Sequence, residues 1–192
     1  DGDEIIVCAC GFATTIAPIV QNGLKPVFVD ITWNDLNWDM DQVEAKVTER
    51  TRAVFSSPVL GNAYDMDRIV DLCERKNIKL ISDNCDSLGS KWKNNYLTDH
   101  SIAASCSFYP AHHITTGEGG MVTTSDTELA ERIKCLRDHG AAMTDLQRHL
   151  GAKPYLLADH PEAGYNQRMT DIQGALGSAQ MSRAKEIVEE RQ

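Results

Sequence analysis

The sequence predicts an α/β fold with a doubly wound, mostly parallel sheet. Short apolar runs rich in valine and isoleucine, the pattern of buried strands, alternate with segments whose apolar residues recur at helical spacing. Residues that commonly cap helices precede several of these segments. Strands that alternate in this way with helices are joined by right-handed crossovers into a parallel sheet. No linker or internal repeat divides the 192 residues, so we expect them to belong to one domain.

The first half of the chain predicts four strands and three helices. Asp39 and Asp65 are the predicted N-caps of the second and third helices, because an aspartate side chain accepts hydrogen bonds from free backbone N–H groups. The predicted strands are residues 4–9, 26–31, 52–57 and 77–82, and the predicted helices are residues 12–20, residues 39–47 and a segment that begins after Asp65.

The second half predicts fewer elements and contains two capping boxes, in which a hydroxyl and a side chain three residues later satisfy each other's backbone N–H groups. Ser125 with Glu128 predicts a helix that continues through Arg137. Thr170 with Gln173 predicts another helix. The apolar side of that helix is Ile172, Ala175, Leu176 and Ala179, the predicted strands are residues 102–106 and 121–124, and residues 141–164 are predicted to form a long irregular segment.

The composition argues against partners that need a basic surface. The formal net charge is −9, so we expect no nucleic-acid partner and no anionic-membrane partner. The apolar runs are much shorter than a membrane span and no signal peptide opens the chain, which favours a cytoplasmic protein. No C-x-x-C pair occurs, and we expect reduced structural thiols at Cys8, Cys10, Cys73, Cys85, Cys106 and Cys135.

The stretch from Ser105 to Gly120 carries the clearest functional signal. A predicted strand ends at Ser107, and the following loop presents the adjacent imidazoles of His112 and His113. The loop then continues into three glycines, which suit tight turns and close backbone approach. Asp83 also ends a predicted strand, and ligands of open α/β sheets bind beyond such carboxyl ends. The sequence therefore predicts an active site at this edge of the sheet.

This stretch resembles the lysine loop of the DegT/DnrJ/StrS sugar aminotransferase family, which uses pyridoxal phosphate (PLP). The family pattern is roughly Ser-Phe-x-x-x-Lys followed by Gly-Glu/Asp-Gly-Gly, and the lysine position holds His112 in this sequence. No lysine occurs between Lys93 and Lys134, so the loop is similar to that of the lysine-less nucleotide-sugar 3-dehydrase branch. The resemblance implies the large domain of fold-type-I (aspartate aminotransferase-like) PLP enzymes. It implies a fragment in which residues 1–192 form the central part of that domain, without the N-terminal segment and the small domain.

The resemblance also assigns cofactor contacts. Asp83 matches the aspartate that pairs with the pyridine nitrogen and so keeps the ring an electron sink, Ser107 the serine on the phosphate, and Phe12 the aromatic residue stacked on the ring. Asp86 stands where aminotransferases usually carry glutamine, which is again similar to the dehydrase branch. Asn166 matches an asparagine that reaches the phosphate from a neighbouring subunit, which implies a homodimer.

Each of these residues also has a structural alternative. Asp83 could cap a helix or form a salt bridge, and Ser107 could be an ordinary turn residue. Phe12 could be a core residue of the helix that it opens, and Asn166 could satisfy its own backbone. His112 could be structural, or could bind metal with His100 or Asp99, although the chain lacks a recognised metal spacing and we expect no metal site.

The identity of residue 112 distinguishes the functional hypotheses. An imidazole forms no Schiff base with PLP but acts as a base near neutral pH. The resemblance therefore implies that His112 takes a proton from the methylene of pyridoxamine phosphate (PMP) while the C3 hydroxyl of a nucleotide-linked 4-keto-6-deoxyhexose is lost, in deoxysugar or polysaccharide biosynthesis. Glutamate is the expected amine donor. The alternatives are a nucleotide-sugar aminotransferase and a non-catalytic partial domain.

Some members of the dehydrase branch carry an iron–sulfur cluster. Cys85 fits the position of the first cluster cysteine, but residues 137–155 contain no cysteine. We therefore expect no cluster, and the iron-free, glutamate-recycled type is the more similar one.

Overall fold

The computed structural model describes residues 2–142 and 160–191, which contain one six-stranded sheet and a separate two-stranded hairpin. The strands are β1 (Glu4–Cys8), β2 (Lys25–Val29), β3 (Thr51–Ser56), β4 (Lys79–Asp83), β5 (Lys91–Trp92), β6 (Asn95–Tyr96), β7 (Ala103–Ser107) and β8 (Gly120–Thr123). The helices are α1 (Ala13–Gln21), α2 (Met40–Ala45), α3 (Met66–Lys76), α4 (Thr127–Arg137), α5 (Asp171–Met181) and α6 (Ala184–Glu189). Two short 3₁₀ turns are Val59–Gly61 and Leu97–His100.

The strand order confirms the predicted mostly parallel sheet. The order is β2-β1-β3-β4-β7-β8, in which the first five strands run parallel and β8 runs antiparallel to β7. Because the five parallel strands point the same way, their carboxyl ends meet at one edge of the sheet. This edge holds the ends of β4 and β7, the two strands predicted to carry the site.

Two apolar clusters, one on each face of the sheet, show why the first half of the chain folds as predicted. On one face Ile6 and Val54 are fully buried together with Ile69 of α3. On the other face Ile5 packs with Ile19 of α1. Burying each such side chain contributes about 1.5–3 kcal/mol, so the alternation of β-branched residues along β1 fixes helices on both faces.

Of the four predicted helix-capping sites, three are confirmed and one is wrong. Asp39 accepts a hydrogen bond from the Asp41 N–H and Asp65 from the Arg68 N–H, as N-caps do, and the Thr170 capping box is complete. The capping box predicted at Ser125 does not form. Asp126 is the N-cap of α4 instead, because its carboxylate reaches the Leu129 N–H at 3.0 Å.

The region after β7 departs further from the prediction. The apolar side of α5 is not a core face, since Ile172 and Leu176 are exposed. The β5–β6 hairpin and α6 were not predicted, and most of the predicted irregular segment, namely residues 143–159, lies outside the described residues. Within the described ranges, every helix is too short or too polar to span a membrane.

Candidate active site

Asp83, the last residue of β4, lies beside Ser105 of β7. The two residues are register partners in the parallel pairing, and the Ser105 hydroxyl approaches Asp83 Oδ1 at 3.4 Å. One residue further, the Asn84 N–H donates to the Ser105 carbonyl at 2.8 Å. The pairing therefore extends past the end of β4 and holds the loop after β4 against β7.

The Asp83 carboxylate is surrounded by neutral donors. Thr15 of α1, a buried residue, donates its hydroxyl to Oδ2 at 3.0 Å, and the Cys85 N–H donates to Oδ1 at 3.2 Å. Asp83 caps no helix, and no lysine or arginine of the described residues pairs with it, so the described part of the chain shows neither structural alternative for this residue. Burial, and then the hydrogen bond to Asp83, raises the pKa of the Cys85 thiol to about 12, so this thiol stays neutral.

His112 lies against Asp86. Its Nδ1 is 3.1 Å from Asp86 Oδ1, and the imidazole is largely buried while the carboxylate is half exposed. The Tyr109 ring approaches the imidazole edge-on, with ring centroids 6.3 Å apart. When Nδ1 carries its proton toward the carboxylate, the lone pair of Nε2 is left free to accept another. Two of the predicted site residues are thus in direct contact.

The loop that carries His112 is closed by its own backbone. The Phe108 N–H donates to the Gly119 carbonyl at 2.9 Å, and the Thr116 N–H donates to the Phe108 carbonyl at 3.0 Å. Gly119 has φ +157°, and a Cβ there would lie 2.4 Å from Thr116 Oγ1. A Cβ on Gly120 would lie 2.9 Å from the Cys106 carbonyl. The glycines therefore allow close approach of the chain to itself.

Ser107, Phe12 and Asn166 occupy three different settings. Ser107 Oγ accepts the Tyr109 N–H at 3.2 Å, so it has the turn role, and among the described residues its hydroxyl proton has no acceptor. Phe12 is the N-cap residue of α1 and is 73% exposed, so the alternative of a core residue is wrong. Asn166 pairs through its backbone with Asp138, and its amide oxygen accepts from Arg168 Nε at 3.3 Å. In the described part of this chain, no hydrogen bond joins Asn166 to the strand ends.

His113 differs from its neighbour. Its Nδ1 is buried and has no hydrogen-bond partner among the described residues. Burial, assisted by the charge of Arg191, lowers the pKa of His113, so this imidazole stays neutral. The arrangement gives no chemical role to His113. Across the described residues, no group of three or more His, Cys, Asp or Glu side chains is placed to hold a metal ion.

Sequence reasoning missed Thr15 and Ser105, which contact Asp83. The available signal was the placement of polar residues within otherwise apolar stretches, since Thr15 lies on the buried side of α1 and Ser105 lies inside an apolar strand. A buried hydroxyl needs a hydrogen-bond partner, and this requirement points to the carboxylate at the end of β4.

The chain belongs to the DegT/DnrJ/EryC1/StrS aminotransferase family, whose sequence profile matches residues 1–192. A dTDP-4-dehydro-2,6-dideoxy-D-glucose 3-dehydratase from Saccharopolyspora spinosa is 42% identical over 197 residues, which cover 95% of this chain and 42% of that protein. The predicted family is therefore confirmed.

Solved structures of relatives confirm the fold-type-I assignment. An aminotransferase from Psychrobacter cryohalolentis has a TM-score of 0.87 at 32% identity, covering 95% of this chain and 46% of the other. An E. coli GDP-4-keto-6-deoxy-D-mannose-3-dehydratase with bound hydrated PLP has a TM-score of 0.85 at 32% identity, covering 96% and 49%. The chain spans about half the length of the relatives it matches, and these include both dehydratases and aminotransferases.

Proposed function

We propose that this chain is the central part of the cofactor-binding domain of a PLP/PMP-dependent nucleotide-sugar 3-dehydratase. The proposed enzyme removes the C3 hydroxyl of a nucleotide-linked 4-keto-6-deoxyhexose. The observation that supports this proposal is the imidazole of His112, which stands in the loop position where the family pattern carries lysine and which contacts Asp86. Without an amine at that position, the cofactor is held by non-covalent contacts alone.

The residues at the strand ends suit a pyridoxal cofactor. The Asp83 carboxylate has only neutral donors around it in the described structure, so a protonated pyridine nitrogen would supply the missing positive partner. The exposed ring of Phe12 offers an apolar face for the pyridine ring. The Ser107 hydroxyl proton, which has no acceptor in the described structure, could be donated to the phosphate. When bound, the cofactor supplies the electron sink for the loss of a proton and a hydroxyl group.

Asp86 and His112 act together in this proposal. The carboxylate orients the imidazole by accepting a hydrogen bond from Nδ1–H, with Nδ1 and Oδ1 3.1 Å apart, and this leaves Nε2 as the base that takes a proton from the bound reactants. The imidazole cannot bind the cofactor covalently, as a lysine at this position would. We therefore expect loss of the hydroxyl group rather than transfer of an amino group. Asp86 is thus proposed both as a cofactor contact and as the residue that orients His112.

The proposed partners follow from the same resemblance. We propose a nucleotide-sugar substrate, glutamate as the amine donor that regenerates PMP, and a homodimer in which Asn166 contributes to the site of the second copy. The half-exposed pairing with Arg168 leaves the Asn166 amide accessible for such a contact. We also propose a cytoplasmic enzyme of deoxysugar or polysaccharide biosynthesis, because the free thiols, including exposed Cys10, suit a reducing compartment.

A nucleotide-sugar aminotransferase is the second candidate. The observation that favours it is the similarity of the chain to solved aminotransferases, which match it as well as the dehydratases do. The two candidates differ in their product, because an aminotransferase leaves an amino group on the sugar whereas a dehydratase removes the C3 oxygen.

The test is a product assay on the natural full-length polypeptide. The purified enzyme is incubated with PMP, glutamate and a nucleotide-linked 4-keto-6-deoxyhexose, and the sugar is analysed by mass spectrometry. We expect loss of the C3 oxygen with wild type, loss of this activity in His112→Lys, and retained activity in His160→Lys, an exposed histidine in a different region. An amino sugar from wild type would favour the aminotransferase, and no cofactor absorbance band would favour a non-catalytic domain.

A further inference from the structure

We propose that Thr15 is a positioning residue that fixes the Phe12 ring relative to the Asp83 carboxylate. The inference rests on the proposed function, in which these two side chains hold the cofactor ring. Thr15 lies outside the predicted site. Its hydrogen bond to Asp83 would set the distance between Phe12, which covers the face of the cofactor ring, and Asp83, which pairs with the ring nitrogen.

The start of α1 has few other constraints. Phe12 is its N-cap residue and makes no side-chain capping bond, and the first turn contains no acidic residue. Pro18 lies inside the helix and has no N–H, so the Thr14 carbonyl loses its usual donor four residues later. A helix end without a cap frays readily. The position of Phe12 therefore depends on another contact.

Thr15 supplies that contact. Its backbone N–H donates to the Phe12 carbonyl at 3.1 Å, and its hydroxyl donates to Asp83 Oδ2 at 3.0 Å. Only 4% of Thr15 is exposed, so water competes little for this hydrogen bond. Because β3 lies between β1 and β4 in the sheet, the bond ties the first turn of α1 to the end of a strand two positions away.

The exposure of Phe12 makes the tie necessary. With 73% of the residue exposed, packing within the described chain does little to orient the ring. Asp83, in contrast, is held by β4, by the Cys85 N–H and by the Ser105 hydroxyl. Loss of the Thr15 hydroxyl would therefore leave the carboxylate in place and release the aromatic ring.

The first experiment measures PMP affinity by absorbance titration of the natural full-length protein. Thr15→Val keeps the shape but removes the hydroxyl, and we expect affinity about 10-fold lower, since hydrogen bonds to charged groups are the stronger ones. Thr15→Ser should restore affinity to within about 2-fold. The matched control is Thr51→Val, which removes a buried threonine hydroxyl at the opposite end of β3. We expect Thr51→Val to lower Tm without changing PMP affinity.

A double-mutant cycle separates positioning from a general structural effect. In a Phe12→Leu background the Thr15→Val change should weaken PMP binding by less than about 3-fold, because the ring that it positions is gone. Additive effects of the two changes would overturn the inference. Equal PMP affinity of wild type and Thr15→Val would also overturn it while leaving the proposed function intact.

Failure of wild type to bind PMP would contradict the proposed function. A measurement without cofactor tests the role of Thr15 even in that case. Hydrogen exchange of the backbone amide at position 15 reports whether the first turn of α1 is closed. We expect this amide to exchange at least about 10-fold faster in Thr15→Val than in wild type, and to be unchanged in Thr51→Val. Unchanged exchange in Thr15→Val would overturn the role of Thr15 whatever the cofactor.

Discussion

The region around β1, β3 and β4 and the region around β7 and β8 differ in how completely they are packed. Around β1, β3 and β4, helices on both faces bury apolar side chains, and Ile69 of α3 is 0% exposed. On the side of β7 and β8, helices α4, α5 and α6 contain no buried residue, and Ile172 of α5 is 77% exposed. Asp83 therefore belongs to a region whose core is packed by this chain itself. The loop of His112 lies at the border between the two regions.

The largest effect that tests this comparison is the loss of Ile69. We expect Ile69→Ala to lower the free energy of unfolding by about 3 kcal/mol, because it removes buried methyl groups and leaves a cavity. The matched change Ile172→Ala should alter it by less than about 0.5 kcal/mol, since that side chain is exposed. Urea unfolding of both variants measures the contrast. Equal losses would contradict it by showing that the apolar side of α5 is covered in solution.

A smaller effect is expected at the border, where Asp86 contacts His112. Asp86→Ala should lower turnover about 10-fold, about 1.4 kcal/mol in activation free energy, because the imidazole loses the partner of Nδ1. Asp86→Asn keeps a hydrogen-bond acceptor, and its turnover should lie between that of wild type and that of Asp86→Ala. The free energy of unfolding should change by less than about 1 kcal/mol, because the carboxylate is half exposed. Steady-state kinetics and thermal unfolding of Asp86→Ala measure the two quantities. Lost stability with normal turnover would contradict the prediction.

The smallest effect concerns two glutamates, one in each region. The Thr48 hydroxyl and then Lys25 lower the pKa of Glu4 from its ordinary 4.5, and Arg183 lowers the pKa of exposed Glu186. A lowered folded-state pKa contributes stability above the ordinary value, and this contribution is lost as pH falls through the lowered pKa.

Unfolding of Glu4→Gln and Glu186→Gln between pH 7 and pH 2 tests this expectation. The difference between wild type and Glu4→Gln should be largest above about pH 4.5 and should shrink below it. Glu186→Gln should show a smaller difference that salt removes, because its partner pair is exposed. A Glu4→Gln difference that persists at pH 2 would contradict the cause given.

Local signals explain what the sequence could predict of the fold. Asp39 and Asp65 cap helices through backbone N–H groups two or three residues away, so neighbouring residues suffice to identify them. Between Ser125 and Asp126, both able to cap, the sequence alone does not decide. The Thr124 hydroxyl accepts the Asp126 N–H at 3.1 Å, which places the aspartate rather than the serine at the helix start.

The candidate site could be predicted only in part, because its contacts join residues that are far apart in the sequence. Asp83 and His112 were recognisable from strand ends and from a family pattern. The bond from Thr15 to Asp83 joins residues 68 positions apart, and the one from His112 to Asp86 joins residues 26 positions apart. Such contacts depend on the order of the strands, which periodicity does not specify. The exposure of Phe12 likewise depends on which neighbours cover α1.

Reduction with borohydride in the presence of PLP tests the central claim most directly, namely that an imidazole replaces the lysine that would bind the cofactor covalently. After reduction, peptide mapping by mass spectrometry locates any pyridoxyl group. We predict no stoichiometric adduct on wild type and a stoichiometric adduct at residue 112 of His112→Lys. A stoichiometric adduct on a lysine of the wild-type protein would contradict the account.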